Sequence, residues 1–294
     1  PNSAIANYNM AFILQEFGNH EEAVPFFKDA IKFLPKKNSR AKKFHGHLLK
    51  RLYHMGDEKK IYLQLTLMIA SGYMNALIGS FGCRANLRYS VHLKNPFCNE
   101  PMDYVVSKSL NEDCAFKQLF VEKAFSILRE EAVQRRTQSL VKNGYQTAGN
   151  IFLTETFFTK EAKNVIHKEI ENYRDFFKDS NEGIIRYWPT EYYLSGWLGC
   201  YQSGGDISPH IHEEGWLSGS IYINVPKASR ENSGSLALCI EPEHIKESTM
   251  ATKANIIEVV TGSLCLFPSS LFHFTTPFES LEDRIVLAFD VIPK

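Results

Sequence analysis

Residues 255–267 have the sequence NIIEVVTGSLCLF, in which two short apolar runs flank Thr261-Gly262. Neither run is long enough for a helix of ordinary length, and both are bounded by residues that favour turns. Short runs rich in Val, Ile and Phe between turn residues are typical of β-strands. This stretch therefore predicts two strands joined by a turn at Gly262.

The same pattern continues through residues 185–294. Further β-rich runs are Tyr192–Tyr201, Leu217–Val225, Ser235–Ile240 and Arg284–Ile292, beside Asn255–Val260 and Ser263–Phe267. The turn residues that separate them are Gly204-Gly205, Pro226, Gly234, Pro242, Gly262 and Pro277. Several short strands at this spacing predict a β-sandwich or a β-barrel.

The first third of the chain has helical periodicity instead. Residues 4–17 are apolar nearly all round and end at Gly18-Asn19, the position of a helix-terminating glycine. Residues 21–34 carry one apolar stripe and are followed by Pro35. Two helices with a glycine turn and a closing proline predict a helix-turn-helix unit.

This unit resembles a tetratricopeptide repeat, and residues 40–70 resemble a degraded second copy with its turn at Gly56-Asp57. The matching residues of the first copy are Ala11, Gly18, Ala23, Phe27, Ala30 and Pro35. The resemblance implies either a peptide-binding scaffold or a spacer that packs on the next domain. One or two repeats cannot bury a solenoid core alone. Because the first residue is Pro1, we expect the chain to be trimmed or part of a longer one.

The middle of the chain is predicted to be a bridge. Residues 82–110 are predicted to be irregular, and helical spacing follows from Asp113 to about Gln138. Residues 138–152 look like a buried approach to the sheet, and a second helix is predicted to begin at Thr159 as N-cap and end near Lys178. The predicted segments are 1–80 (helical repeats), 81–134 (bridge) and 135–294 (β domain).

Residues 208–214, SPHIHEE, hold the first candidate metal ligands. Histidines at i and i+2 on a strand point to the same face, so His210 and His212 can meet one ion. His273 follows the strand Ser263–Phe267 and can return beside them. Three such ligands leave positions open for substrate and O₂, as in non-haem iron oxygenases. A second register, with His212 and Glu214 as ligands, stays open.

Arg284 opens the apolar run RIVLAFDVIP, residues 284–293. A guanidinium inside an apolar strand needs an anionic partner, because burial of an unpaired charge is costly. A carboxylate held by two parallel hydrogen bonds is the partner that suits arginine. This position therefore predicts a carboxylate ligand near the histidines.

The ordered set resembles the double-stranded β-helix oxygenases that use iron(II) and 2-oxoglutarate. The likeness is greatest to a bacterial subgroup with H-x-H, a serine-glycine strand, FPS before a third histidine, and then arginine. The matching residues are His210-Ile211-His212, Leu217-Ser218-Gly219-Ser220-Ile221-Tyr222, Phe267-Pro268-Ser269 with His273, and Arg284, together with QTAGN (146–150) and Trp197. The resemblance covers about residues 135–294.

The resemblance implies an α+β chain, with helical repeats before a jelly-roll barrel that has flanking helices. It implies that His210, His212 and His273 hold iron(II), and that Arg284 binds the distal carboxylate of 2-oxoglutarate. Tyr222 is expected to add a hydrogen bond to this cosubstrate. Two positions depart from the wider pattern. His212 stands where a carboxylate ligand is commoner, and Val286 stands where many relatives have a hydroxyl residue.

The function expected from these residues is a dioxygenase that hydroxylates an organic or peptide substrate, with O₂ as co-reactant. The alternative is a catalytically inactive barrel in a protein-binding scaffold, whose helical repeats would recruit a partner. A three-histidine dioxygenase without 2-oxoglutarate would not need Arg284. A zinc hydrolase would need a general base, which no residue clearly supplies.

The composition excludes several partners. The chain has 294 residues with 33 basic and 33 acidic side chains, so it has no electrostatic footprint for nucleic acid or an anionic membrane. No apolar run approaches the length of a membrane span. Its six cysteines form no C-x-x-C pair, which favours a reduced, cytoplasmic protein.

Overall fold

The computed structural model describes residues 2–35, 38, 40–90, 93–110, 116–129, 135–136, 139–227, 231–242 and 254–294. The chain divides into two units, Pro1–Pro96 and Phe97–Lys294. This division differs from the predicted segment ends at residues 80 and 134. Among the described residues, no helix has both the length and the hydropathy that crossing a membrane requires.

The first unit consists of five helices in the described residues. They are α1 (Ala4–Glu16), α2 (His20–Lys32), α3 (Ala41–Met55), α4 (Glu58–Ala70) and α5 (Ala76–Tyr89). Each helix packs against the next one along the chain. The side chain of Ser3 caps α1, and Gly56 ends α3 in the left-handed conformation, with φ 70°. The two predicted helix pairs are therefore present, while their kinship with tetratricopeptide repeats stays a prediction.

Helix α5 corrects the prediction that residues 82–110 are irregular. Its two glycines, Gly79 and Gly82, weaken the helical signal in the sequence. In the structure Gly82 allows close packing, since a Cβ there would lie 3.0 Å from the side-chain Nδ2 of Asn95. The N-terminal cap is Asn75, whose side chain accepts a hydrogen bond from the amide of Ile78. Tertiary packing therefore compensates for the low helix propensity of glycine.

The second unit is built on one antiparallel sheet. Its strands are β1 (Val106–Ser109), β2 (Arg135–Arg136), β3 (Val141–Thr147), β4 (Tyr192–His210), β5 (Leu217–Asn224), β6 (Leu236–Cys239), β7 (Asn255–Ile257), β8 (Ser263–Pro268), β9 (Phe272–Thr275) and β10 (Arg284–Pro293). The strand order is β1-β8-β5-β10-β4-β9-β6-β7, with β3 also pairing with β4 and β2 with β3. The sheet curls into a nearly closed barrel, which confirms the predicted α+β jelly-roll class.

Strand β4 makes the curling possible because it pairs with different strands along its length. Its first half, as far as Tyr201, pairs with β10. Its second half pairs with β9 through Ile207 and His210, and with β3 on its other edge. One long strand therefore belongs to both faces of the barrel, and its C-terminal end reaches the interior.

All six predicted strands are present, but four further strands of the described residues were missed: β1, β2, β3 and β9. The sequence placed His273 beside a strand, whereas the structure places it on β9, which has only four residues. Residues 138–152 contain β3 rather than an approach to the sheet, because their polar pattern hides a strand that pairs along β4. Strand β4 continues past Tyr201 to His210, and β7 ends at Ile257 rather than Val260.

Three helices accompany the sheet in the described part of the second unit. They are α6 (Glu122–Arg129), preceded by a π-helical turn at Lys117–Val121, α7 (Phe157–Phe176) and α8 (Gly183–Arg186). Residues 113–115, 130–134 and 137–138 of the helix predicted from Asp113 to about Gln138 lie outside the described residues. That prediction is wrong at Arg135–Arg136, which form β2.

The predicted N-cap of α7 is also wrong. The cap is Thr156, whose hydroxyl accepts a hydrogen bond from the amide of Thr159, and Thr159 accepts one from the amide of Thr156. This reciprocal pair is a capping box, in which the second threonine lies three positions inside the helix. Both threonines have a capping role, so spacing alone did not distinguish the cap from its partner.

Candidate active site

Three histidines meet inside the barrel. His210 ends β4, and its Cα partner across the antiparallel ladder is His273 on β9. His212 lies two residues beyond the end of β4, in the turn before β5. One possible ligand atom from each ring lies within 4.8 Å of the others. The three predicted histidines therefore lie close together, although His212 belongs to a turn and not to strand β4.

Each ring has its Nδ1 atom occupied by an acceptor. Nδ1 of His210 lies 2.8 Å from the carbonyl of Ser208, and Nδ1 of His273 lies 3.3 Å from the carbonyl of Leu271. Nδ1 of His212 lies 2.6 Å from Oδ1 of Asp290. A neutral imidazole that donates through Nδ1 keeps a lone pair on Nε2. The Nε2 atoms are therefore the ones available to a metal ion.

The electrostatics keep two of these rings neutral. Burial lowers the pKa of His210 to about 4, with a further lowering by neighbouring His212. Burial also holds the pKa of His273 well below the ordinary value of an imidazole, and His210 and His212 add to the effect. Metal binding requires deprotonated ligands, so neutral rings are in the state that a metal ion needs.

Arg284 is buried and lines the same cavity as the histidines. It is the first residue of β10 and only 1 % of its surface is exposed. Its Nε donates to the carbonyl of Gly234 at 3.2 Å, and the guanidinium lies 5.1 Å from the ring centre of Tyr222. Its Nη2 has no acceptor among the described residues. A buried guanidinium N–H without a partner is costly, so this position suits an anion.

The cavity is lined by both polar and apolar side chains. It encloses about 470 Å³, part of which is open to solvent. Its lining includes the three histidines, Arg284, Tyr201, Ser220, Tyr222, Phe267 and Thr275. Burial raises the pKa of Tyr222 and of Tyr201, so both phenols stay neutral and can donate a hydrogen bond. A ligand with a carboxylate end and metal-binding oxygens would match this arrangement.

Several of these residues were not identified from the sequence. Tyr201 was seen only as a strand end, and its place beside Arg284 follows from the pairing of β4 with β10. Asp290 was seen only as part of an apolar strand. Glu214, the alternative ligand, is exposed and lies outside the histidine group. Val286 lines the cavity with an apolar side chain.

Residues 195–290 match the model of a family described as "Putative 2OG-Fe(II) oxygenase". The matched segment, about a third of the chain, contains the three histidines, Tyr222 and Arg284. The description of this family names iron(II) and 2-oxoglutarate, and the residues of the cavity fit both. Three imidazoles converge with free Nε2 atoms, and a buried guanidinium has an unused donor for a carboxylate.

Three solved structures of low identity are similar to part of the chain. A prolyl-4-hydroxylase from Pseudomonas putida has 12 % identity, a TM-score of 0.44, and coverage of 65 % of this chain and 92 % of its own. A prolyl hydroxylase from Trichoplax adhaerens, in complex with a hypoxia inducible factor peptide fragment, has 14 % identity, a TM-score of 0.46, and coverage of 71 % and 91 %. HygX from Streptomyces hygroscopicus, with nickel and 2-oxoglutarate bound, has 12 % identity, a TM-score of 0.41, and coverage of 65 % and 83 %. No curated protein sequence matches the chain.

Proposed function

We propose that the second unit is an iron(II)- and 2-oxoglutarate-dependent dioxygenase of the hydroxylase type. The observation that carries this proposal is the pairing of two features in one cavity. Three converging histidine rings line the same cavity as buried Arg284, whose Nη2 has no partner among the described residues. Iron and 2-oxoglutarate, when bound, supply the oxidising chemistry by which O₂ hydroxylates a C–H bond.

His210, His212 and His273 would hold the iron through their Nε2 atoms. The hydrogen bonds at Nδ1 set the tautomer of each ring, so the ligands are oriented before the metal arrives. Three protein ligands would leave further coordination positions of the iron unfilled. These positions would be available to the cosubstrate and to O₂.

Arg284 would bind the distal carboxylate of 2-oxoglutarate. Its Nε is used by the carbonyl of Gly234, which leaves Nη2 directed toward a ligand. Tyr222 is fully buried beside it, and its neutral hydroxyl can donate a second hydrogen bond. Charge-assisted hydrogen bonds are strong in such a low-dielectric environment, so these two residues would set the orientation of the cosubstrate.

The remaining walls would exclude water from the reacting atoms. Phe267, Leu236 and Val286 are buried apolar side chains of the cavity lining. Trp197 is partly exposed, and its ring centre lies 5.5 Å from that of His212. We infer that a substrate would contact Trp197 when it approaches the metal.

The substrate class is inferred from the first unit of the chain. The resemblance of the first unit to tetratricopeptide repeats supports a peptide or protein substrate, or a protein partner recruited by these helices. No observation on the described residues favours a catalytically inactive barrel, because the metal ligands and the arginine are all present. A three-histidine dioxygenase without 2-oxoglutarate would leave the buried guanidinium of Arg284 without an anionic ligand.

The test is anaerobic addition of iron(II) and 2-oxoglutarate to the purified chain. We expect a weak metal-to-ligand charge-transfer band in the visible spectrum. His273→Ala should lose the band with the metal, and Arg284→Ala should lose it at cosubstrate concentrations that saturate the wild type. His167→Ala, at an exposed position on α7, serves as the control. A wild-type chain that retains no metal and shows no band would exclude the proposed function.

A further inference from the structure

Asp290 is a buried carboxylate near the end of β10. Only 5 % of its surface is exposed, and it lies opposite Ser195 of β4 and Ser218 of β5. Its Oδ1 accepts hydrogen bonds from Nδ1 of His212 at 2.6 Å and from Oγ of Ser218 at 2.7 Å. The imidazole of His212 lies directly against the carboxylate of Asp290. A buried carboxylate needs such donors, so the two residues are structurally linked.

A hydrogen-bond network holds this carboxylate in place. Oγ of Ser218 lies 2.8 Å from Oγ of Ser269, which is fully buried and can donate to it. The carbonyl of Ser269 in turn accepts from the amide of His212 at 3.3 Å. The ring and the backbone of His212 are therefore fixed by residues from three different strands or turns.

The three histidines differ in the acceptor that their Nδ1 atoms contact. His210 and His273 donate to neutral backbone carbonyls, whereas His212 donates to a carboxylate. A carboxylate behind a metal-bound histidine fixes its tautomer and raises the basicity of its other nitrogen. His212 should therefore be the strongest donor of the three.

Charge gives a second reason for Asp290. Non-haem iron sites of this kind commonly use two histidines and one carboxylate as ligands, whereas here all three ligands are imidazoles. The positive charges of iron(II) and Arg284 exceed the negative charges of 2-oxoglutarate by one. A single buried carboxylate beside the ligands restores neutrality, and Asp290 is in that place.

We propose that Asp290 is a positioning residue for the metal centre. It orients His212, strengthens the donation of its Nε2, and supplies from behind the ring the negative charge that a carboxylate ligand supplies directly in other sites. This inference rests on the proposed function, because it assigns a role at the same metal. It makes the arrangement of His212, Asp290 and Ser218 part of the site.

Asp290→Asn tests the role of the charge, since the amide oxygen can still accept from both donors. We expect the affinity for Co(II) or Mn(II) to fall by about 10- to 100-fold, the usual effect of losing such a partner. We expect the iron(II)–2-oxoglutarate band to move to higher energy, because a less electron-rich iron gives up charge less easily. Asp283→Asn, the same change at an exposed site just before β10, should alter neither.

Ser218→Ala provides an independent variant with the opposite expected sign. Without the serine donor, Asp290 concentrates its charge on His212, so the band should move to lower energy. If the network has only a structural role, the band should keep its wild-type position in both variants. Thermal unfolding of the metal-free variants shows whether each of them still folds. If Asp290→Asn does not fold, Ser218→Ala still tests the role of Asp290.

The outcomes distinguish the two proposals. If the wild type binds metal and 2-oxoglutarate while Asp290→Asn and Ser218→Ala keep its affinity and band position, the role of Asp290 is overturned and the proposed function stands. If the wild type binds no metal, both the proposed function and the role of Asp290 are excluded. Opposite band shifts in the two variants, with weaker metal binding in Asp290→Asn, support the inference.

Discussion

Among the single residues of the site, Arg284 is the most constrained. It is among the largest fully buried side chains of the described chain, and the carbonyl of Gly234 holds its Nε. Gly234 has φ 71°, a left-handed conformation that suits glycine, and this turn presents its carbonyl to the arginine. The backbone thereby uses one donor of the guanidinium and leaves the other side for a ligand.

Arg284→Lys should keep the charge but lose the geometry of the clamp. A lysine ammonium is a point charge and cannot form two parallel hydrogen bonds with a carboxylate. We expect the affinity of the manganese-loaded protein for 2-oxoglutarate to fall about 30-fold, which corresponds to about 2 kcal/mol. Anaerobic calorimetric titration measures it, with Arg186→Lys at an exposed position as the control. Unchanged affinity in Arg284→Lys would contradict the assignment of the clamp.

Among the elements, β10 organises the site. It pairs along its length with β4 on one side and β5 on the other, and it carries Arg284 at its start and Asp290 near its end. Opposite Gly219 of β5 stands Phe289, whose ring occupies the space above the glycine. A Cβ at Gly219 would lie 2.2 Å from Cζ of Phe289. The absence of a side chain at Gly219 is therefore what lets this ring pack.

Gly219→Ala should destabilise the second unit. The added methyl group must displace a fully buried phenyl ring, and such overpacking costs about 1–3 kcal/mol in free energy of unfolding. Denaturation by urea measures the loss. The second change Phe289→Leu makes room, so adding Gly219→Ala to Phe289→Leu should cost less than adding it to the wild type. Equal costs in the two backgrounds would show that the ring is not the cause.

At the level of the whole molecule, partly or fully buried histidines in both units link stability to pH. In the first unit, the His47 ring lies among aromatic side chains, with ring centres 4.9 Å from Phe12 and 5.6 Å from Tyr8. Burial lowers the pKa of His47 to about 4, and the charges of Lys50, Lys43 and Arg51 lower it further. The folded unit therefore favours the neutral ring.

The first unit should lose stability as the pH falls from about 6.5 to about 4. In this window the unfolded chain binds a proton at His47 that the folded chain does not, so protonation favours unfolding. The full contribution is present above the unfolded pKa and is lost as the pH reaches the folded one. Thermal unfolding at pH 7 and pH 5 measures this, and His47→Leu should reduce the difference. His54→Leu, at an exposed position, should leave it as in the wild type.

Much of the fold could be predicted from local patterns. Helices α1 to α4 follow from apolar spacing and glycine stops, and the β-rich runs follow from their length and their turn residues. These signals lie within windows of a few residues, so they need no knowledge of the rest of the chain. Strand β9 and helix α5 were missed because one is too short and the other contains two glycines, so their local signals are weak.

The candidate site divides in the same way. The three histidines and Arg284 could be identified as candidates from the sequence, because their residue types and their order carry the chemistry. Only the tertiary structure placed Asp290 behind His212 and Tyr201 beside Arg284. The reason is that these contacts join strands far apart in sequence, and their register depends on how β10 pairs between β4 and β5. No local pattern contains that register, since cross-strand pairing and burial together fix which side chains share the cavity.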